Sequence, residues 1–236
     1  MQAVIFRELG RMSYREAWDY QESLMKDNLD IKAANRLADE TGAALRSTTH
    51  YLLYVEHPPV FTLGKSGSLD HVLMSEEHLQ RMGIEFFRTN RGGDITFHGP
   101  GQLVGYPILD LELFYTDIGK YLRNIEEVVI RTLGDYGLKG ERSAGETGVW
   151  LDPAVKGRER KICAIGVRSS RWITMHGFAL NVNTNLDYFN MIVPCGIPDK
   201  QVTSLEKELG REVDMDEVKQ HVSRHFENVF EVSLRG

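Results

Sequence analysis

Apolar positions recur at two different periods along this chain, and the changes of period divide it into helices and strands. Over residues 14–45 charged residues are interspersed with spaced apolar ones (Trp18, Leu24, Ala34, Leu37, Ala38), a pattern that predicts mostly helix. Residues 50–56 (HYLLYVE) form a short apolar run that stops at Pro58-Pro59 and resumes over 60–63. Proline cannot donate to a sheet ladder, so two strands joined by a proline corner are expected. Ser75 has the character of an N-cap for a short helix reaching Met82, with Glu76 and Glu77 in its first turn. Strand-like segments at 84–89, 95–98 and 103–109 are separated by glycine-rich turns. From 117 to 136 the set Ile118, Tyr121, Leu122, Ile125, Val128, Val129, Leu133 and Tyr136 keeps a helical period, and Gly137 stands where such a helix stops. Strands follow at 149–151, 162–168 and 172–182. Asp214 opens a terminal helix, with Glu217 as capping-box partner and Met215, Val218, Val222, Phe226 and Val229 as its buried stripe.

Strands crowd the middle while long helices sit near the start, centre and end, without regular alternation. That order predicts an α+β fold, a mixed β-sheet with packed helices, rather than a doubly wound parallel sheet. No linker-like stretch divides the 236 residues, so a single catalytic domain over 1–236 is expected, its core at about 48–232.

Composition narrows the function. At 42% hydrophobic and 26% charged, the chain has material for a full core. A formal net charge of -6 argues against nucleic acid as a partner, which requires a broad basic field. No apolar run approaches the ~18 residues of a membrane span, and the N-terminus lacks a signal-peptide pattern. Two cysteines make neither a disulfide framework nor a four-ligand zinc site. A cytoplasmic location with no membrane partner and no metal follows as the expectation.

Four stretches are poor material for simple packing. Residues 91–102 (RGGDITFHGPGQ) hold four glycines, which serve either as tight turns or as points where backbone N–H groups approach a ligand beside Arg91, Thr96 and His98. Lys161 begins the apolar run Ile162-Cys163-Ala164-Ile165-Gly166-Val167, either as a solvated end residue or as a group sharing a proton with a partner. His176-Gly177 interrupts a strand pattern, as a bulge, a close approach or a histidine satisfied within the sheet. Pro194-Cys195-Gly196 sets a thiol at a sharp turn, where it is either exposed or an inert core cysteine.

Taken together, these motifs resemble the lipoyl(octanoyl) transferase family. The match runs from Glu56-His57-Pro58-Pro59-Val60-Phe61-Thr62-Leu63-Gly64 through residues 91–102 and Gly105-Tyr106-Pro107-Ile108-Leu109-Asp110-Leu111. It continues with Gly148-Val149-Trp150, residues 161–168, residues 170–183, residues 192–197 and Val202-Thr203-Ser204-Leu205. The resemblance implies a fold like the catalytic domain of biotin and lipoate protein ligases. It implies Cys195 as acyl-thioester nucleophile and Lys161, 34 positions earlier, as its acid/base partner. It further implies a substrate site formed by Arg91, Gly92, Gly93, Asp94, Ile95, Thr96, Phe97 and His98, by Ala164, Ile165 and Gly166, and by Gly177, Phe178 and Ala179. By the same resemblance, octanoyl-acyl carrier protein is the donor, and the acceptors are apo lipoyl domains of 2-oxoacid dehydrogenase complexes and the glycine cleavage H protein. No cofactor is implied. Two rivals are an ATP-dependent lipoate protein ligase of the same fold and a non-catalytic acyl-carrier-binding module.

One position departs from the expected pattern. Cys163 stands where a small residue such as alanine is expected, and strand alternation predicts that it shares a face with Lys161 as a rival thiol. A basic cluster (Lys156, Arg158, Arg160, Lys161, Arg168, Arg171 against Glu159) is expected either to dock an acidic carrier or to be a solvated loop.

Overall fold

The computed structural model describes residues 1–42, 44–193 and 201–236. Its centre is a mixed sheet whose hydrogen-bonded order is β10-β8-β9-β6-β2-β1-β11, with β7 paired to β8 off that path. These strands are β1 (Gln2–Arg11), β2 (His50–Glu56), β6 (Gln102–Ile108), β7 (Val149–Leu151), β8 (Arg160–Ser170), β9 (Ile173–Asn181), β10 (Gln201–Val202) and β11 (Val232–Arg235). The middle, β2-β6-β9-β8, is antiparallel throughout, whereas β1 runs parallel to both β2 and β11 and β10 runs parallel to β8. A second, three-stranded sheet holds β3 (Val60–Leu63) between β4 (Glu85–Arg88) and β5 (Ile95–His98). The proline corner is thus the crossing point at which the chain leaves the large sheet for the small one. The predicted α+β architecture is what the structure has.

Helices cover both faces of the large sheet. On one face α3 (Ile118–Asp135) and α5 (Met215–Phe230), which follows the short α4 (Leu205–Leu209), bury Tyr121, Ile125, Val129, Val218, Val222 and Phe226 against Leu52, Leu103, Phe178 and Leu180. On the other, α1 (Tyr14–Thr41) packs Ala17, Leu24 and Met25 against Val104, Tyr106, Met175 and Ala179. The caps follow local chemistry. Ser13 and Glu16 form a reciprocal capping box at α1, Gly42 ends it at φ 72°, and Ser75 accepts from His78 N at the head of α2 (Glu76–Arg81). Asp117 caps α3 and Asp214 caps α5. At α5 the Asp214 carboxylate accepts from Asp216 N, while Glu217 lies 3.5 Å from His221 Nε2.

The structure corrects the sequence reading at two places. The first is β1, which sequence pattern did not mark: only Val4 of its ten residues is buried, so no alternation announces a strand. Second, β8 runs two residues beyond its expected strand at each end while β9 stops one residue short at each end, and the two form one hairpin in register from Cys163–Leu180 to Ser170–Ile173. At His176-Gly177 β9 is unbroken, in keeping with the expected strand over 172–182 and with the alternatives of a histidine held within the sheet and a close approach at the glycine. His176 takes φ 59° inside the strand, its buried N–H donating to Gln21 Oε1 of α1 at 2.9 Å. A Cβ on Gly177 would stand 2.1 Å from Gly105 O of β6, so glycine here is required by the neighbouring strand.

Candidate active site

A cavity of about 560 Å³ opens between β5, with the glycine loop before it, and the face of β6-β9-β8. That size lies within the range of small-molecule sites. Tyr14, at the first position of α1, also lines it. The glycine loop is fixed at both margins. On the β3 side Gly64 N, Lys65 N and Ser66 N donate to Asp94 O, Arg91 O and Gly93 O; on the β8 side Gly92 N donates to Val167 O at 2.9 Å. A Cβ on Gly166 would lie 2.8 Å from Gly92 O, so the contact between loop and sheet depends on glycine there. Arg91, buried, turns back beneath the loop and donates to Thr62 O (2.5 Å), Thr62 Oγ1 (3.0 Å) and Gly92 O (3.0 Å).

Buried polar groups along one wall are chained together. His98 Nδ1 donates to Gln102 Oε1 at 2.8 Å; Gln102 Nε2 donates to Phe97 O and Asn181 Oδ1, and Asn181 Nδ2 donates to Thr203 O. Burial pushes the His98 imidazole well below its ordinary pKa, reinforced by His57 and Arg91. His57 is pushed down to about 4 by burial, with Met12 O opposing, and His176 to about 3 by burial and then Arg91 and Arg168. These imidazoles are neutral at pH 7. Of the three, His98 and His176 line the cavity and make its wall polar without adding charge.

Lys161 lines the same cavity and is almost fully buried. Its ammonium stands 4.6 Å from the centroid of the Trp150 ring, a cation–π contact, and its carbonyl accepts from Thr203 N at 2.9 Å. The pairing of β7 with β8 explains its orientation. Trp150 pairs with Lys161 but Val149 pairs with Cys163, so Ile162 is an extra residue, a bulge that breaks alternation. Ile162 and Cys163 both enter the α3–α5 core, and Cys163 does not line the cavity. The expectation that Lys161 and Cys163 share a face is therefore overturned. Burial also raises the Cys163 thiol far above its ordinary pKa, which makes it a poor nucleophile. Cys163→Ala is expected to keep turnover within about twofold of wild type in a steady-state assay, the behaviour of a packing cysteine.

Most of the residues expected to bind substrate do line the cavity: Arg91, Gly93, Asp94, Ile95, Thr96, His98, Ala164, Ile165, Gly166, Gly177, Phe178 and Ala179. Two do not. Along β5 Phe97 lies on the face opposite Thr96 and His98, stacked on Tyr188 at 4.4 Å in a satellite core, and Gly92 serves to tie the loop to β8. Cys195 and the rest of the Pro194-Cys195-Gly196-Ile197 motif lie outside the described residues. Tyr14, His71, Tyr106, Glu146 and Thr147 also line the cavity and were not among the residues expected there. Tyr106 falls inside a quoted motif; Tyr14 and His71 reach the site only through the fold.

The basic cluster does not form one field. Strand β8 separates its two ends by ten residues' rise, roughly 30 Å. Three of its arginines are answered by carboxylates: Arg160 pairs with Asp152 and Glu208, Arg158 with Asp152, and Arg168 with Glu22.

With this geometry in view, the comparisons with known proteins locate the class. A bipartite lipoate protein ligase from Thermoplasma acidophilum superposes at TM-score 0.70 with 19% identity, over 100% of this chain and 86% of that one. A lipoate-protein ligase A bound with ATP gives 0.68 at 18% identity, over 100% and 88%. These likenesses establish the fold. The family model of the lipoyl protein ligase A/B catalytic domain matches residues 13–227. Curated relatives named octanoyltransferase are 56% identical in Christiangramia forsetii (97% of this chain, 96% of the relative), 56% in Flavobacterium johnsoniae (97% and 97%) and 49% in Cytophaga hutchinsonii (99% and 95%). The chain belongs to the lipoyl protein ligase A/B catalytic-domain family and, within it, to the octanoyltransferases, which are acyltransferases. Among the described residues no helix is long and apolar enough to cross a membrane.

Proposed function

We propose that the protein transfers an octanoyl group from octanoyl-acyl carrier protein to a lysine of apo lipoyl domains, through a thioester on Cys195. Those domains include the ones carried by 2-oxoacid dehydrogenase complexes and the glycine cleavage H protein. The observation that best supports this reading is a buried ammonium, Lys161, opening on a cavity walled by Val104, Ala164, Ile165, Phe178 and Ala179. An apolar wall suits a medium acyl chain, and an ammonium at that wall suits a thiolate partner.

An ordinary thiol with pKa ~8.5 is only about 3% thiolate at pH 7. An ammonium nearby favours the anion, and lowering the thiol by about 1.5 units takes roughly 2 kcal/mol, within reach of one partly buried charge pair. The Cys195 thiolate attacks the donor carbonyl, and the carrier's sulfur leaves and takes a proton from Lys161. The acceptor amine then attacks the new thioester and displaces Cys195, and Lys161 regains a proton. An amide is more stable than a thioester, so the second half draws the reaction forward.

Intact-mass measurement after mixing with octanoyl-acyl carrier protein tests this. An octanoyl adduct is expected on wild type and not on Cys195→Ala. No wild-type adduct, or an adduct that survives in Cys195→Ala, rejects the covalent route. Adding ATP with free octanoate and no thioester distinguishes a ligase, which alone would form product under those conditions.

A further inference from the structure

The covalent reaction leaves one proton unassigned, and the inference that follows rests on that reading. An acceptor lysine arrives as an ammonium, with an ordinary pKa of ~10.4. To become an amide nitrogen it must lose two protons, one before it attacks and one after. Lys161, neutral once the carrier's sulfur has left protonated, takes back one of these and restores the thiolate–ammonium pair. The other needs a second acceptor. We propose that His71, supported by Asp94, takes this proton from the incoming lysine at the cavity mouth and releases it to water.

Both residues line the cavity that contains Lys161. His71 Nδ1 stands 2.5 Å from Asp94 Oδ2, close enough for an ion pair once the imidazole is protonated. The other carboxylate oxygen, Oδ1, accepts from Ile95 N at 2.7 Å, which fixes Asp94 at the end of the glycine loop. The opposite ring nitrogen, Nε2, makes no hydrogen bond with the described residues. At 29% side-chain exposure His71 lies between cavity and solvent, as a group passing protons outward must. A carboxylate behind an imidazole orients the ring and stabilises the imidazolium formed on proton uptake.

The backbone also ties His71 to the chain that leads to the nucleophile. His71 O accepts from Val193 N at 2.8 Å, Leu73 N donates to Met191 O at 2.9 Å, and Val72 and Ile192 form an antiparallel bridge. Val193 is two positions before Cys195 in the sequence. Histidine is therefore held on the segment adjoining the proposed thioester, by main-chain bonds that do not depend on its side chain.

The test separates the two half-reactions in His71→Gln. Octanoyl-acyl carrier protein loads wild type and variant, and single-turnover discharge is followed with two nucleophiles: an apo lipoyl domain, and hydroxylamine, which is uncharged at neutral pH and needs no base. Loading of the variant is expected within about threefold of wild type, hydroxylamine discharge likewise, and discharge to the lipoyl domain slowed ~10²-fold, in the range of general-base catalysis. Asp94→Asn is expected to show the same pattern at about tenfold. Discharge to the lipoyl domain at the wild-type rate overturns the assignment. So does equal slowing with both nucleophiles, which marks a structural role. Absence of any wild-type adduct overturns the covalent reading itself, and this inference with it.

Discussion

Lys161→Met is expected to lower steady-state octanoyl transfer by about 10³-fold while the protein stays folded. Methionine nearly matches the volume and flexibility of the lysine stem, so the slot beneath the Trp150 ring remains filled, and volume-conserving swaps cost ~1.5 kcal/mol or less. What is lost is the proton and the charge. The field of this ammonium already reaches sulfur on the opposite face of β8, where it acts to lower the Cys163 thiol against a larger desolvation effect. A thiol in the cavity, with less desolvation to overcome, would respond further. Lys161→Arg separates the two contributions. A guanidinium keeps the charge but cannot give up its proton, so arginine should restore part of the rate of adduct formation and little of overall turnover. Full recovery of turnover by arginine would show that charge alone suffices and that Lys161 exchanges no proton. Stopped-flow loading and steady-state transfer, measured on the same preparations, decide the point.

The reach of sequence reading differs between backbone and site for physical reasons. Strands β2, β3, β5 and β7 have the bounds that their apolar runs and flanking prolines or glycines indicated, because burial on both faces writes a continuous signal into a few neighbouring residues. Strands β1 and β11 pair with each other across almost the whole chain and bury little, so no local pattern marks them. The cavity's glycine loop and its β8 and β9 walls were legible because each is a contiguous motif. Tyr14 and His71 were not, being brought in by the packing of α1 and by the bridge between Val72 and Ile192. The face of Cys163 was misread because alternation assumes an unbulged strand, and a one-residue bulge at Ile162 reverses every assignment beyond it. Charge was misread in a related way. Counted along the sequence, the cluster at 156–171 is basic; in the fold Arg158, Arg160 and Arg168 meet Asp152, Glu208 and Glu22, which sequence distance hides.

Stability should fall steeply as pH drops from 6.5 towards 4. Four buried imidazoles have pKa values depressed mainly by desolvation: His50, and more strongly His57, His98 and His176, of which His57 falls to about 4 and His176 to about 3. Their hydrogen bonds fit the neutral form. His57 Nδ1 donates to Met12 O and Nε2 lies 2.8 Å from Tyr106 Oη, while His176 Nε2 lies 2.7 Å from Asn90 Oδ1. In the unfolded chain each titrates near 6.5. Above that value both states are neutral and these groups contribute no pH dependence. Below it the unfolded state binds protons that the folded state refuses, so unfolding gains about 1.4 kcal/mol per histidine per pH unit. The three more strongly shifted groups give a slope near 4 kcal/mol per unit, and about 6 kcal/mol between pH 7 and pH 5, comparable with the whole stability of an ordinary domain. The fall should level off for His57 once pH passes about 4, where the folded state also accepts its proton. Urea titrations at pH 7.5, 6.0, 5.5 and 5.0 measure the slope directly. His57→Gln, which offers an amide donor and acceptor in place of the ring nitrogens, should remove about a third of it. A midpoint that does not move between pH 7.5 and 5.0 would mean that the histidines ionise in the folded protein, and that the polar wall of the cavity is wet rather than dry.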